Sequence, residues 1–385
     1  MEKIQKKLIV FMPSMDGGGV EKNIIIVTNY LSNFIEKITL ITFDKKFNNQ
    51  FNDKQMLLLY TLVASFCVPV LPQSYWSSYP LRPWSYTTSG ALYGTHVAVG
   101  SKTVLVASPK ENVFSQTRGT QTNAGAVHAF RTNDPTWSMQ QRITASDGEA
   151  GDEFGSAISI SPTDGLYLLV GAKYNLITDA GCAYVFWRAT NEDDFQELTK
   201  LSLADGIVGD LFGAEVAISD THAVVAAPGK VSNSGKVYVY LRGGGSGASA
   251  TFTLTATLTS GTAASNNYFG ASVSIFKNVI AVGVPGGDLI TPSRENGGFV
   301  DMFVLDTVTT LWERSATPLI TSAGKAFDYT GSDVAVGQGT VLISAPMDDH
   351  TELVDVGSVH AYTYNYECTF LYLFVDSTCK HQIFY

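Results

Sequence analysis

The sequence has few cysteines, few charged side chains and no apolar run of the usual membrane-spanning length. Four cysteines in 385 residues are too few and too scattered for a disulfide scaffold or a zinc site. Cys368 and Cys379 could pair in an exported chain or stay as free thiols. No Asn-x-Ser/Thr glycosylation site occurs, and charged residues make up only 16% of the chain. These shortages exclude small disulfide-rich domains and zinc modules.

The formal net charge of −10 is unevenly distributed. Residues 1–55 hold eight Lys against six Asp or Glu, so the remainder holds 17 basic and 29 acidic side chains, a charge of −12. An acidic body argues against nucleic-acid binding, which requires a basic face against phosphate. Thirty-five glycines with so few charges favour an all-β fold with many turns.

An aromatic–glycine pair, followed by alternating apolar strands, recurs along most of the chain. The pairs are Tyr93-Gly94, Phe154-Gly155, Phe212-Gly213 and Phe269-Gly270, with a fifth, blurred copy at Thr330-Gly331, where Tyr329 stands one place early. The intervals between copies are 61, 58, 57 and 61 residues. A fixed period of this kind indicates an array of one supersecondary unit.

Each unit predicts four strands. In the third unit these are 215–219, 223–227, 236–241 and 252–258, with Val237 and Val239 on one face and Tyr238 and Tyr240 on the other, as in a half-buried strand. The fourth strand opens with an aromatic residue 17 positions before the next aromatic, at Trp137, Phe195, Phe252 and Trp312. Four strands in about 60 residues are typical of a β-propeller blade, with the aromatics packed between blades. A linear array of stacked units is the alternative.

The spacing resembles the FG-GAP repeat family, known from the integrin α-subunit head and from exported or surface proteins. Phe154-Gly155, Phe212-Gly213 and Phe269-Gly270 carry the first half of the motif. The second half stands at Ala107-Ser108-Pro109, Gly171-Ala172-Lys173, Ala226-Ala227-Pro228, Gly283-Val284-Pro285 and Ser344-Ala345-Pro346. The resemblance implies a β-propeller over residues 84–365, a non-enzymatic domain for binding or cell adhesion, outside the cell or at its surface.

We therefore predict an all-β fold of about five four-stranded blades. Residues Trp84–Thr88 would serve as a shortened fourth strand of the last blade and close the ring. A seven-blade ring that lacks two blades is the alternative, because integrin propellers have seven.

Residues 1–55 predict a different, βαβ element. An apolar strand at 7–12 leads into Gly17, Gly18 and Gly19, then a helix over 20–31 and a strand at 38–43. Glycines at a helix N-terminus can cradle a phosphate; they also make an ordinary tight turn. The stretch resembles the start of GT-B glycosyltransferases of family 4, in the motif Pro13-Ser14-Met15-Asp16-Gly17-Gly18-Gly19-Val20-Glu21 and in Asn29-Tyr30-Leu31. A glycosyltransferase is thus the alternative function, inactive here since the family's donor domain has no counterpart downstream.

Two further segments break the pattern. Within residues 56–83, the uncharged run 56–71 is typical of a signal peptide or short membrane anchor, although its 16 residues fall short of the roughly 20 that span a bilayer. Lysines before the run would leave the propeller outside the cell. A buried element that joins two domains is the other interpretation. Residues 366–385 form an irregular tail, with an apolar stretch at 369–375.

The array shows no pattern for catalysis, a metal or a cofactor. Calcium-binding FG-GAP repeats carry Asp-x-Asp-x-Asp-Gly loops, whereas no corresponding loop here holds more than one carboxylate. Asp147, Glu149 and Asp152 form a looser acidic cluster that is more typical of a solvated loop. His128 and His360 occupy the repeat position of Tyr184 and Tyr238, so we interpret them as strand residues.

Loops of variable length between the strands are the predicted binding elements for a protein or glycan ligand, since loops on a rigid scaffold usually carry specificity. The exposed candidates within them are Glu111, Phe114, Arg118, Asp288, Arg294 and Glu295.

Overall fold

A computed structural model describes most of the repeat array and two strands near the N-terminus. The described residues are 4–13, 35–43, 81–82, 88–132, 137–175, 180–245, 247–262, 264–290, 293–321, 325–349 and 354–364. The chain divides into two compact units, 1–78 and 79–385.

The first unit contains a parallel pair of strands, β1 (Ile4–Pro13) and β2 (Ile35–Phe43). Their register places Leu8 beside Ile38. The sequence predicted both strands, at 7–12 and 38–43, and each observed strand begins three residues earlier. The predicted helix, the glycines Gly17, Gly18 and Gly19, and the apolar run 56–71 lie outside the described residues.

The second unit is nearly all β. Its strands are β3 (Val97–Gly100), β4 (Thr103–Ser108), β5 (Val113–Ser115), β6 (Gly119–Gln121), β7 (Ala126–Thr132), β8 (Trp137–Ile143), β9 (Phe154–Ile160), β10 (Tyr167–Ala172), β11 (Cys182–Trp187), β12 (Gln196–Leu201), β13 (Val216–Ile218), β14 (His222–Ala227), β15 (Lys236–Gly243), β16 (Thr251–Leu258), β17 (Val273–Phe276), β18 (Val279–Val284), β19 (Leu289–Ile290), β20 (Ser293–Arg294), β21 (Phe299–Leu305), β22 (Trp312–Arg314), β23 (Val334–Gly337), β24 (Thr340–Ala345) and β25 (Ser358–Thr363). Single helical turns stand at α1 (Lys230–Asn233) and at Gly247–Ser249. Among the described residues, none of the helices has the length and hydropathy to cross a bilayer.

The strands form five consecutive blades. Four are antiparallel sheets of four strands, in the orders β3-β4-β7-β8, β9-β10-β11-β12, β13-β14-β15-β16 and β17-β18-β21-β22. The fifth blade has the order β23-β24-β25 in the described residues. Two small hairpins, β5-β6 and β19-β20, extend from the connection between the second and third strands of the first and fourth blades. The predicted β-propeller of five blades is confirmed.

Four apolar cores hold the blades together, one at each junction between consecutive blades. On β15, Val237 and Val239 belong to the core shared with the fourth blade, whereas Tyr238 and Tyr240 belong to the core shared with the second. The predicted alternation is therefore correct, but the expectation of a half-buried strand is wrong. A blade packed between two neighbours buries both of its faces.

The aromatic–glycine pair forms one side of each junction. The amides of Phe154, Phe212, Phe269 and Thr330 donate to the carbonyls of Ala124, Ala180, Ser234 and Gly297 in the preceding blade, at 2.8, 2.8, 3.1 and 3.0 Å. The glycine that follows the aromatic position has a φ between 89° and 94°, in the left-handed region. Phe154, Phe212 and Phe269 are fully buried.

The fifth copy shows why its motif looked blurred. Thr330 makes the hydrogen bond that the phenylalanines make elsewhere, and it forms a bridge with Gly298. Tyr329 stands one residue earlier with φ 52°, in the position that Tyr268 occupies with φ 54° in the fourth blade. The 17-residue interval from Trp312 therefore ends at Tyr329, one residue before the position that the phenylalanines occupy in the other repeats.

Closure of the ring is not observed in the described residues. The expected counterpart of the repeated hydrogen bond, from the Tyr93 amide to the Val356 carbonyl, is absent from the described residues, and no apolar core joins the fifth blade to the first. Most of the proposed closing strand, residues 84–87, lies outside the described part of the chain.

Candidate functional site

The connections of nine or more residues in the array all emerge on one face. Because each blade is antiparallel, the turn between its second and third strands lies beside the segment that leads into the next blade. The turns between second and third strands cover residues 109–125, 173–181, 228–235, 285–298 and 346–357. The segments that lead into a first strand cover residues 88–96, 144–153, 202–215, 259–272 and 315–333. We call this surface the loop face. Connections on the opposite face include tight turns such as 101–102, 277–278 and 338–339.

The loop face carries most of the exposed apolar side chains. Twelve of the twenty large apolar residues exposed among the described residues lie on it: Leu92, Phe114, Tyr174, Ile207, Val208, Val231, Tyr268, Phe327, Tyr329, Met347, Val354 and Val356. The opposite face has Val308 and Leu311. Clusters of exposed apolar and aromatic side chains mark interaction surfaces in soluble proteins.

Phe114 is the most prominent aromatic of this surface. The side chain is 72% exposed and stands in β5, the first strand of the hairpin β5-β6, which raises it above the first blade. The hairpin is fixed at its base, where the Asn123 amide donates to the Asn112 side chain at 3.0 Å. An exposed aromatic ring offers a ligand a large apolar surface for stacking.

A group of titratable side chains converges where the innermost strands begin. His96, Glu215 and Asp333 stand three residues after the aromatic position in the first, third and fifth blades, and Lys173 follows β10 in the second. The first strands of successive blades adjoin one another, so these positions face a common axis. We call these four residues the axial cluster.

Electrostatic effects connect the members of the axial cluster. Burial, and then the charge of Asp333, raise the pKa of Glu215 to about 8, while the charge of Lys173 acts in the opposite direction. Burial and then Lys173 lower the pKa of His96, and Asp333 acts in the opposite direction. The Lys173 ammonium also pairs with the Glu153 carboxylate at 3.3 Å. The axial cluster therefore holds a carboxyl that changes protonation near neutral pH, at the centre of the loop face.

Sequence reasoning missed the axial cluster, although a signal was present. At the position of Lys173, four of the five repeats have proline. At the position of Glu215, the second and fourth repeats have Ala157 and Ser272. The positions of Lys173 and Glu215 face the axis, and their departure from the repeat pattern was the sequence signal for the axial cluster.

The predicted loop candidates have different environments. Glu111 was expected to be exposed, and that expectation is wrong, because its side chain is 1% exposed. Arg118 donates to Glu149 at 3.0 Å and to the Asp147 carbonyl at 3.1 Å. Asp288 is exposed and accepts the Asn296 amide at 2.8 Å. Glu295 is exposed, and Arg294 lies in β20, with its side chain outside the described set.

Buried ion pairs explain several of these polar residues. Glu111 accepts from His128 Nε2 at 2.7 Å and from Arg142 Nε at 2.6 Å, which ties a loop of the first blade to its two outer strands. Burial would raise the pKa of Glu111, but His128 and Arg142 outweigh burial and lower it. Similar pairs link Lys230 with Asp210 and Arg314 with Asp301. The Glu111 contacts and the Lys230–Asp210 pair hold connections of the loop face in place, whereas Arg314 and Asp301 join the neighbouring strands β22 and β21.

The acidic cluster of the second blade is also engaged. Asp147 accepts from Lys200 Nζ at 2.6 Å and from the Tyr184 hydroxyl at 2.5 Å. Asp152 accepts from the Glu149 amide at 2.7 Å and from the Asn175 amide group. Asp147 and Asp152 are thus engaged by donors from β11, β12 and the connections 144–153 and 173–181, and no group of three metal-ligating side chains converges in the described part of the chain.

Ser358, His360 and Asp348 lie together in the fifth blade, but not as a catalytic triad. The Ser358 hydroxyl and the Asp348 carboxylate approach the same ring nitrogen of His360, Nε2, at 2.8 and 3.4 Å. The Ser358 hydroxyl also donates to Asp348 Oδ2 at 2.5 Å. In a Ser-His-Asp triad the acid and the serine contact opposite nitrogens. The three side chains instead form hydrogen bonds that join a loop of the fifth blade to β25.

Five consecutive antiparallel blades, four of them with four strands and the fifth with three among the described residues, define a β-propeller with long loops on one face, an arrangement that fits a ligand-binding domain. Within it, residues 137–186, 195–240 and 252–298 match the model of the family described as FG-GAP repeat. The first two matches run from the fourth strand of one blade into the third strand of the next, and the third match ends at Gly298, just before β21, so the sequence repeat spans a junction. The matches and the five blades support the FG-GAP interpretation. They do not extend to residues 1–55, and nothing supports the glycosyltransferase interpretation.

No curated protein matches the chain. Among solved structures, a protein described as "a putative 6-phosphogluconolactonase" from Bacteroides uniformis is similar at 13% identity and a TM-score of 0.45, over 70% of this chain and 66% of that one. A protein described as functionally unknown, from Desulfotomaculum acetoxidans, is similar at 13% identity and a TM-score of 0.42, over 72% of this chain and 67% of that one. The chain thus spans about two thirds of the length of either structure.

Proposed function

We propose that residues 84–365 form a non-enzymatic binding propeller that recognises a protein or glycan through its loop face. The observation that carries the proposal is the concentration of exposed apolar and aromatic side chains on that face, with Phe114 as the most exposed aromatic ring. Such side chains are usually buried when a partner binds. We further propose that the domain is exported or displayed at a cell surface, with anchoring through residues 56–71.

The axial cluster would add a polar centre to this surface. Glu215, with its pKa of about 8, can donate a hydrogen bond when protonated and accept one when ionised. Lys173 supplies a positive charge beside it. The acidic balance of the chain after residue 55 favours ligands without strong negative charge, such as neutral glycans or basic protein surfaces.

Binding to immobilised arrays of glycans and of surface proteins tests the proposal with the full chain. A Phe114→Ser variant should lose binding to the probe that the unmodified chain retains, because the exposed ring is removed without disturbing the core. A Val308→Ser variant is the matched control, since Val308 is 74% exposed on the opposite face. Equal loss in both variants, or binding that neither affects, would contradict the role of the loop face.

A further inference from the structure

A lysine, an asparagine and an aspartate lie in contact beside the outer strand of the second blade. Lys200 belongs to β12, and its Nζ donates to Oδ1 of Asn175 at 2.7 Å. At the other end of the same side-chain amide, Nδ2 of Asn175 donates to Oδ2 of Asp152. Asn175 and Asp152 are buried, with exposed fractions of 3% and 5%. An amine and a carboxyl group therefore flank one buried amide.

The backbone holds this amide close to the lysine. The main-chain N–H of Asn175 donates to the Ala172 carbonyl at 3.0 Å, and the main-chain N–H of Gly181 donates to the Asn175 carbonyl at 3.0 Å. Because a C=O bond is about 1.2 Å long, Nζ of Lys200 lies within about 4 Å of the amide carbon Cγ. Reacting atoms combine readily at about 3–3.5 Å, so a small rotation of the lysine side chain is enough for attack.

The first blade has an unreactive pair at the same positions. Glu111 stands three residues after the end of β4, as Asn175 does after β10. Arg142 and Lys200 share one register position in the outer strands β8 and β12. Glu111 and Arg142 form an ion pair at 2.6 Å, and a guanidinium stays protonated. The second blade instead places an amine, which is a nucleophile once it loses its proton, against an amide.

We propose that Lys200 and Asn175 form an isopeptide bond in the folded chain. The Lys200 ammonium gives one proton to Asp147, whose Oδ2 lies 2.6 Å from Nζ, and the lone pair of Nζ then attacks Cγ of Asn175. The electron pair of the Cγ–Nδ2 bond leaves with Nδ2, which takes the proton of the Asp152 carboxyl and departs as ammonia. The second proton that Nζ sheds restores the Asp152 carboxyl, and the ammonia takes up the proton held by Asp147. One Nζ–Cγ amide forms, one Cγ–Nδ2 bond breaks, and one ammonium ion is released.

Burial suits Asp152 to the role of the acid. It raises the pKa of this carboxyl above the ordinary value, while hydrogen bonds from the Glu149 amide and the Asn175 side chain act in the opposite direction. The protonated fraction thereby gained is available beside the departing nitrogen. The new bond ties β12 to the connection 173–181 and restricts the unfolded chain as a disulfide would, in a chain with only four cysteines.

The intact mass of the full chain, measured under denaturing conditions, tests the proposal. After incubation of the folded chain, its mass should be lower by one ammonia, and a proteolytic digest should contain a branched peptide that joins Asn175 to Lys200. Lys200→Arg keeps the positive charge but removes the nucleophile, so it should show neither the deficit nor the branched peptide. Lys325→Arg, at an exposed ion pair, is the matched control and should show both. Circular dichroism establishes that each variant is folded.

An Asp152→Asn variant tests the acid. Its side chain keeps the shape of aspartate but has no acidic proton, so the cross-link should form on the order of a hundredfold more slowly. Recovery of Asn175 and Lys200 on separate peptides of unchanged mass from the unmodified chain would overturn the proposal. A deficit that persists in Lys200→Arg, or that arises at an equal rate in Asp152→Asn, would overturn it as well.

Discussion

The amide of Phe154 donates to the carbonyl of Ala124 at 2.8 Å, across the boundary between the first and second blades. The same bond recurs at the next three boundaries, so the aromatic–glycine pair is a joint between blades. This role explains why the repeat has a constant phase while the loops vary in length. The aromatic–glycine pairs hold the blades together, and the loop face lies on the same side of every blade.

Because the aromatic–glycine pair joins two blades, replacing its glycine by alanine should have unequal effects in different blades. Gly213→Ala and Gly94→Ala both place alanine at a φ near 90°, but a Cβ on Gly213 would lie 2.2 Å from the Cys182 carbonyl oxygen, whereas one on Gly94 meets nothing. Both variants bear the left-handed strain of about 1–2 kcal/mol. Gly213→Ala should lose about 2 kcal/mol more, because the blades must separate. Urea denaturation measures the difference, and equal losses would show that the junction is not tightly packed.

The buried pair of the first blade predicts a pH-dependent loss of stability. Glu111→Gln should reduce the free energy of unfolding by about 3 kcal/mol at neutral pH, because Arg142 loses its carboxylate partner and the buried hydrogen bond with His128 is weakened. The native pKa of Glu111 is lowered, so its contribution is present above the ordinary value of 4.5 and is lost as the pH falls through the native pKa. Denaturation of both proteins in acid should therefore give nearly equal stabilities. Arg118→Gln, at an exposed pair, is a control that should change little.

Glu215 predicts the opposite dependence on pH. Because burial and Asp333 raise its native pKa from 4.5 to about 8, the native state binds a proton that the unfolded state has released. The unmodified chain should therefore lose stability relative to Glu215→Gln as the pH rises from 4.5 to about 8. Thermal denaturation across this interval measures the difference.

An Asp333→Asn variant tests whether the charge of Asp333 contributes to the raised pKa of Glu215. Removing the neighbouring charge should bring the pKa of Glu215 closer to its ordinary value and reduce the pH-dependent difference between the two proteins. A difference that is unchanged in the Asp333→Asn background would show that the axial cluster does not act as a unit.

Much of this fold was accessible from the sequence, because period and phase are properties of the chain itself. The predicted strands of the third blade, 215–219, 223–227, 236–241 and 252–258, correspond to β13, β14, β15 and β16 within three residues at each end. Alternation assigned Tyr238 and Val239 to different faces. It did not show that both faces are covered, since that follows from the neighbouring blades.

The site was less accessible, because burial and convergence depend on which blades adjoin. Glu111 stands in a loop and was expected to be exposed, yet it turns inward to His128 and Arg142, which are 17 and 31 residues away. Glu215 and Asp333 are 118 residues apart in the sequence. The sequence marks them as departures from the repeat, but their approach comes from the arrangement of blades around an axis.

Amide hydrogen exchange of the full chain, resolved to single residues, tests most directly whether the aromatic–glycine position joins each blade to the one before it. The amides of Phe154, Phe212, Phe269 and Thr330 should be strongly protected, because each is bonded to the preceding blade. Rapid exchange at these four amides would contradict the account, because it would show that the aromatic–glycine position is not bonded to the preceding blade.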